Sequence, residues 1–217
     1  AGGGACGEIP CEHFHADFDD KESLQRGAKY FMSYCSGCHS LNYSRYGRVA
    51  DDLDIPREEM KEHLIFGDDK VGDLMTIAMD PQKSKAWFGA APPDLSLVAR
   101  SRNPEWLFTY LVSFYKDDTR PTGVNNKVFP NVGMPHVLLE LQGLQECAPG
   151  PKYDSHGHVV RNAVGELGEV DACGSLEVKT VKGSMTDDEY RQASYDIVNF
   201  LEYIAEPVAD KRRTIGV

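Results

Sequence analysis

Apolar positions recur with helical spacing in four stretches. Leu24, Ala28, Phe31 and Cys35 share one face, and Asp19 with Glu22 reads as a capping box that opens the helix. A second helix is expected over 56–67, with Met60 and Leu64 inward. A third takes Asn103 as cap and Pro104 in its first turn, with Leu107, Tyr110, Leu111 and Phe114 inward. The last is the clearest. Thr186 and Glu189 form a second capping box, Tyr190, Ala193, Ile197, Phe200, Leu201 and Ile204 follow at helical spacing, and Pro207 closes the run. Alternation of period two is weak: 177–182 reads as one arm of a small hairpin before Gly183. Residues 121–135 are rich in Pro, Gly and Asn and read as an ordered loop. The pattern predicts a mainly α fold with long connecting loops and a small β-hairpin.

The length of 217 residues suffices for one domain or at most two with a real core, and 41% apolar residues exclude disorder. The longest stretch free of Asp, Glu, Lys and Arg runs over residues 30–44, only 15 positions and partly polar, so no segment reads as a membrane span. The first seven residues, AGGGACG, read as a flexible or trimmed start. They lack the basic and apolar regions of a signal peptide, and an alanine start is compatible with one already removed. The net charge of −11 argues against nucleic acid and favours basic partners. The charge is uneven. Residues 51–73 hold 9 acidic against 3 basic side chains, and 140–189 hold 10 against 4, whereas 74–139 hold 5 against 7. Acidic stretches are usually solvated faces, and that is the plain reading of either block alone.

The chemistry sits at Cys35-Ser36-Gly37-Cys38-His39. This is CxxCH, the attachment signature of c-type haem. Two thiols three positions apart each add to one vinyl group, and the following imidazole then meets the iron. At this composition roughly 0.005 such motifs arise by chance. A zinc ribbon needs a second CxxC, which the chain lacks. A redox CxxC opens a helix after a strand, whereas this one closes a helix.

A thioether on the other face of the iron raises its potential and suits electron transfer. Of the six methionines, Met32 precedes the motif by one turn on the same helix, and Met60, Met75, Met79 and Met185 lie in or beside helical patterns, where Met fills cores. Met134 stands apart, in Val132-Gly133-Met134-Pro135 within the ordered loop. His136 is the bis-histidine alternative. Arg100 and Arg102 are candidates for pairing haem propionates. The other ring nitrogen of the ligand histidine needs an acceptor, for which a carbonyl of Pro92-Pro93 is suitable.

These residues together resemble cytochrome c1, the haem subunit of the cytochrome bc1 complex, from about position 19 to 216. The resemblance is carried by Arg26-Gly27-Ala28, Cys35-Ser36-Gly37-Cys38-His39-Ser40 and Ala91-Pro92-Pro93-Asp94-Leu95-Ser96. It extends through Arg100-Ser101-Arg102, Phe129-Pro130-Asn131-Val132-Gly133-Met134-Pro135 and the tail Ala205-Glu206-Pro207 with Lys211-Arg212-Arg213. Trp87-Phe88-Gly89-Ala90 and Met134-Pro135-His136-Val137-Leu138 are similar to proteobacterial forms. The resemblance implies a class I c-type cytochrome core with long loop insertions and one covalent haem c. It implies an extension at 1–18 before a haem domain at 19–217, with an acidic insertion at about 140–185. It also implies His39 and Met134 as axial ligands, Cys35 and Cys38 as attachment points, Arg102 on a propionate, Pro93 packed on the ring and Trp106 near it. Gly27 matches a glycine where the first and last helices cross, packed by Phe200 or Tyr203. The family carries a C-terminal membrane anchor directly after the segment that ends here, so such an anchor is expected beyond Val217.

Cys6, Cys11, Cys147 and Cys173 remain, with three possible pairings. Haem c is attached outside the cytoplasm, where disulfides persist. Cys147 and Cys173 bracket the acidic insertion, which some bacterial members of the family tie with a disulfide. Cys6 and Cys11, near Glu12, His13 and His15, depart from the family; a small disulfide, a metal site and free thiols all stay open.

The resemblance implies a one-electron carrier rather than an enzyme by itself. It would accept an electron from the Rieske iron–sulfur protein beside cytochrome b and pass it to a cytochrome c, with the acidic blocks steering a basic acceptor. The implied location is the periplasmic face of a bacterial inner membrane, with the mitochondrial intermembrane space as alternative. The competing readings are a free electron shuttle and a haem peroxidase-like enzyme.

Overall fold

A computed structural model describes residues 5–36, 39, 41–45, 53–56, 58, 74–75 and 93–205. In chain order the described elements are β1 (Ala5–Cys6), β2 (Ile9–Pro10), α1 (Lys21–Tyr30), a π-helical turn (Phe31–Cys35), β3 (Leu41–Arg45) and β4 (Leu74–Met75). There follow α2 (Leu95–Ser101), α3 (Pro104–Val112), β5 (Phe114–Lys116), β6 (Val124–Asn126), α4 (Leu139–Gln142), β7 (Gly143–Pro151), β8 (Val170–Lys182) and α5 (Asp187–Ala205). The strands pair as four antiparallel ribbons, β1 with β2, β3 with β4, β5 with β6 and β7 with β8. The mainly α expectation therefore holds only in part. The expected helix at 56–67, Cys38, Pro92 and the basic tail from Lys211 lie outside the described residues or nearly so, with only Pro56 and Glu58 of the first described.

The chain divides into two units, one formed by Ala1–His15 with Glu105–Gln192 and the other by Ala16–Pro104 with Ala193–Val217. In the second, α1 is capped by Asp20, whose carboxylate accepts from the Ser23 N–H at 3.0 Å. The cap is one residue later than the sequence suggested, because Asp17 takes the Asp19 N–H instead. Leu24, Ala28 and Phe31 are buried on the face read from the sequence, and Cys35 is half-buried. Ile197, Phe200 and Leu201 of α5 are buried too, with the Phe31 and Phe200 rings 5.9 Å apart. At Gly27 a Cβ would overlap the Asp196 carbonyl and lie 2.7 Å from Phe200 Cβ, so α1 and α5 cross at a point open only to glycine.

Polar groups at that crossing are matched. The buried Asp196 carboxylate accepts from Ser23 Oγ at 2.6 Å and from Arg26 Nε at 2.8 Å. Asn199 brackets the backbone of Asp17, accepting its N–H at 3.0 Å and donating to its carbonyl at 2.8 Å. Buried groups so paired avoid a desolvation penalty of roughly 1–3 kcal/mol each.

In the first unit, α3 starts at Pro104 as expected and buries Leu107, Phe108, Thr109 and Val112. It stops before Phe114, which lies in β5 instead of on the helix, and Tyr110 and Leu111 are half-buried. The chain leaves the helix because Ser113 and Phe114 take β-type partners: the Ser113 carbonyl accepts from Lys127 N–H at 3.2 Å, and Phe114 pairs with Asn126. Buried Gln145 bridges the junction, donating to the Val112 and Phe114 carbonyls at 2.8 and 2.9 Å. The hairpin glimpsed at 177–182 is one end of a much longer ribbon, with pairing from Gly143 with Lys182 to Pro151 with Val170. Cys147 and Cys173 are joined across it by a disulfide. The capping box at α5 is present in both directions: Thr186 N–H donates to the Glu189 carboxylate at 3.0 Å and Glu189 N–H to Thr186 Oγ1 at 3.2 Å. Among the described residues no helix is long and apolar enough to cross a membrane.

Candidate functional site

The motif histidine stands at the end of α1 and its π-helical extension. The Ser36 N–H donates to the Phe31 carbonyl five residues back at 3.0 Å, widening the last turn, and Ser36 Oγ donates to the Met32 carbonyl at 2.8 Å. Widened turns of this kind re-aim the residues that follow, and they recur at functional sites. His39 N–H then donates to the Cys35 carbonyl at 2.9 Å, so Cys35 and His39 are joined through the backbone.

His39 Nδ1 lies 2.9 Å from the Pro93 carbonyl oxygen. An oxygen there accepts only, so it assigns the ring proton to Nδ1 and leaves the Nε2 lone pair for a metal. Burial disfavours the charged ring and pushes its pKa below the ordinary value, against the opposing pull of the Pro93 carbonyl. Pro93 itself is exposed, immediately before α2. Arg102 is exposed just past the end of α2, with its N–H bonded to the Val98 carbonyl at 2.9 Å; Arg100 is exposed as well.

In the first unit Met134 packs with Tyr110 and Leu144 against buried Phe114, Val124 and Val132. The Tyr110 hydroxyl donates to Met134 Sδ at 3.3 Å. A thioether has two lone pairs and is a weak acceptor, so this contact leaves one pair for a metal. Trp106 lies parallel on Tyr110, 5.3 Å away with a 6° tilt, and Phe129 meets the indole edge-on. Burial raises the Tyr110 phenol well above its ordinary pKa, so the hydroxyl keeps its proton.

The loop that carries Met134 is held by two asparagines. Asn126 Oδ1 accepts from Val128 N–H at 2.8 Å, and Asn126 Nδ2 donates to the Tyr110 carbonyl at 2.9 Å. Asn125 Oδ1 accepts from Asn131 N–H at 2.8 Å, and its Nδ2 donates to Asp117 at 2.9 Å. His136, the alternative ligand, is turned into the core. Its ring stacks on Phe114 at 4.8 Å, Nε2 bonds Gln142 Oε1 at 2.7 Å, and burial pushes its pKa down to about 4.

The structure thus brings His39 to Pro93 and Tyr110 to Met134, with Trp106 stacked on Tyr110. The sequence reading missed the Tyr110 hydroxyl, which looked like part of an apolar helix face. It also missed Gln142 beside His136 and the asparagine pair. Asn-Asn within a Pro- and Gly-rich stretch was a visible turn signal, but two of its partners, Tyr110 and Asp117, lie outside that stretch.

The sequence model of the Cytochrome C1 family matches residues 11–147. A cytochrome c1 of Allochromatium vinosum is 48% identical over 205 residues, covering 94% of this chain and 79% of that protein. The ammonia monooxygenase gamma subunit of Nitrosomonas europaea is 40% identical over 210 residues, 97% of this chain and 80% of that one. A cytochrome c1 of Rhodospirillum rubrum is 26% identical over 218 residues, 91% and 74%.

Proposed function

This chain belongs to the cytochrome c1 family, and on that premise we propose that His39 and Met134 are the two axial ligands of its haem iron, with Cys35 and Cys38 as the points of covalent attachment. The protein carries one covalently attached haem c and is an electron-transfer subunit of the cytochrome bc1 complex, not an enzyme by itself. The observation that carries the ligand assignment is the 2.9 Å contact of His39 Nδ1 with the Pro93 carbonyl. It fits a ligand histidine, which must be neutral, in one tautomer and fixed in orientation. Met134 Sδ, in an apolar cluster with the Tyr110 hydroxyl on it, fits the second position.

When bound, the haem supplies a reversible one-electron couple. The chain's own residues do the rest. His39 is held neutral by burial. The Met134 thioether would favour the reduced iron, and Tyr110 and Phe114 beside it, with Trp106 stacked on Tyr110, would keep water from it. Arg102 would serve a haem propionate, and Pro93 and Trp106 would pack against the ring. The proposed electron source is the Rieske iron–sulfur protein, with cytochrome b as neighbour and a cytochrome c as acceptor. The proposed location is the periplasmic face of a bacterial inner membrane. The ribbon segment 140–189, with 10 acidic and 4 basic residues, steers a basic acceptor into a transient contact, and its association rate falls as salt rises. The shuttle and peroxidase-like readings are not favoured by the family assignment.

Met134→Leu tests the ligand reading. The far-red absorbance band of iron–thioether bonding in the oxidised protein is expected to vanish and the potential to fall, while the haem stays covalently attached. A variant that keeps the band has another sixth ligand.

A further inference from the structure

The Cys6–Cys11 disulfide is used by none of the chemistry above. It closes a small ring in which Cys6 pairs with Ile9 and Ala5 with Pro10. Cys6 is fully buried. The tip of the ring, Gly7-Glu8, meets the start of the loop that carries Met134. Glu8 N–H donates to the Lys127 carbonyl at 2.9 Å, and the Glu8 carboxylate lies 3.6 Å from the Lys127 ammonium. Gly7 approaches so closely that a Cβ would meet the Lys127 and Val128 carbonyl oxygens at 2.5 Å, and its φ of +63° also favours glycine.

Lys127 is held from the other side as well. Its N–H donates to the Ser113 carbonyl at 3.2 Å, and its ammonium sits 5.1 Å over the Tyr115 ring. Seven residues later the chain reaches Met134, and Asn125, Asn126 and buried Val132 hold the stretch between. A loop with little regular pairing keeps its shape only through such individual anchors. The rest of the N-terminal segment is docked separately. Glu12 N–H donates to Thr109 Oγ1 at 2.9 Å, the Glu12 carboxylate pairs with Arg191 at 3.3 Å, and Phe14 is buried 6.0 Å from Phe108. The ring is therefore the part of the segment that engages the methionine loop.

We infer that the Cys6–Cys11 ring is a positioning element for Met134, clamping its loop at Lys127 so that the thioether is held where a metal takes it. The inference rests on Met134 being the second iron ligand. A methionine whose loop is unclamped spends more time away from the metal, and an added ligand then competes with it more successfully.

The test uses the haem-loaded protein. Imidazole is titrated into oxidised Cys6→Ser/Cys11→Ser, with the far-red thioether band as a second readout. Imidazole affinity is expected to rise about tenfold, with a weaker band. Cys147→Ser/Cys173→Ser removes the other disulfide and is expected to leave both unchanged. Gly7→Ala keeps the Cys6–Cys11 bond but pushes the tip off Lys127, and it is expected to reproduce the rise; it decides the matter if the double variant does not accumulate. Parental affinity in both Cys6→Ser/Cys11→Ser and Gly7→Ala overturns the clamp, as does an equal rise in the two disulfide variants. Met134→Leu, run in parallel, separates the two ideas. Loss of its band alongside unchanged imidazole binding in the ring variants sinks the clamp alone, whereas a retained band sinks the ligand reading beneath it.

Discussion

Nδ1 of His39 and the carbonyl oxygen of Pro93 meet at 2.9 Å across 54 residues of chain. The contact gives Pro93 a physical role. A proline holds its backbone rigid, so its carbonyl makes a fixed acceptor, and the fixed acceptor holds the imidazole in one tautomer. A hydrogen bond from Nδ1–H makes the ring a stronger donor through Nε2 and so favours oxidised iron. Pro93→Gly loosens the backbone at this acceptor and is expected to raise the midpoint potential. One hydrogen bond of about 1 kcal/mol corresponds to about 40 mV for a one-electron couple. Redox titration of the variant checks this, and an unchanged potential separates the Pro93 carbonyl from the iron's ligand.

The Tyr110 hydroxyl acts with the opposite sign. It points a partial positive charge at Met134 Sδ from 3.3 Å, which favours the iron state of lower charge. Tyr110→Phe is expected to lower the potential, again by about 40 mV for a bond of about 1 kcal/mol. Its far-red band is expected to remain, since the thioether is still present. A rise in potential contradicts the assigned role of the hydroxyl.

Gly27→Ala sets two effects against each other. Alanine raises intrinsic helix stability by about 1 kcal/mol relative to glycine. The added methyl overlaps the Asp196 carbonyl and Phe200 Cβ, and backbone yields poorly. Overpacking of this kind costs about 1–3 kcal/mol, so the net change is expected to be destabilising. Urea unfolding of the haem-loaded protein measures it; a more stable variant shows that the crossing has slack.

The α5 capping box gives stability a pH dependence. The backbone and side-chain hydrogen bonds of Thr186 hold the Glu189 carboxyl below its ordinary pKa of 4.5. With a folded pKa lower than the unfolded one, the stabilisation is fully present above the unfolded value. It is lost as pH falls through the folded one. Glu189→Gln keeps a capping side chain without the titration. The difference in thermal midpoint between parent and variant is expected to shrink as the pH is lowered below about 4. A difference that does not change with pH contradicts the assignment.

Features set by neighbours in the chain were legible from residue order alone. CxxCH is a local signature, and so is the Thr186–Glu189 box, whose two hydrogen bonds span three positions. The buried face of α5 follows from period alone, with Tyr190, Ala193, Ile197, Phe200 and Leu201 all inside. The cap of α1 slipped by one residue because three aspartates stand close together, and only the folded turn selects Asp20.

Long-range pairing was not legible. The β7–β8 ribbon is polar over much of its length and carries a weak alternation, so its extent is fixed by hydrogen bonds between strands and not by the character of either strand. Phe114 continues a helical apolar period, yet it lies in a strand because Asn126 supplies a partner for its backbone. The sequence by itself determined that this chain carries a c-type haem motif, and it singled out His39 and Met134 as the proposed ligands. Tertiary structure alone decided what holds those side chains: Pro93 on the imidazole, Tyr110 on the thioether 24 residues away, and the Cys6–Cys11 ring on Lys127. Covalent and helical signals are written in adjacent residues, whereas a hydrogen bond between distant segments exists only after the chain has brought them together.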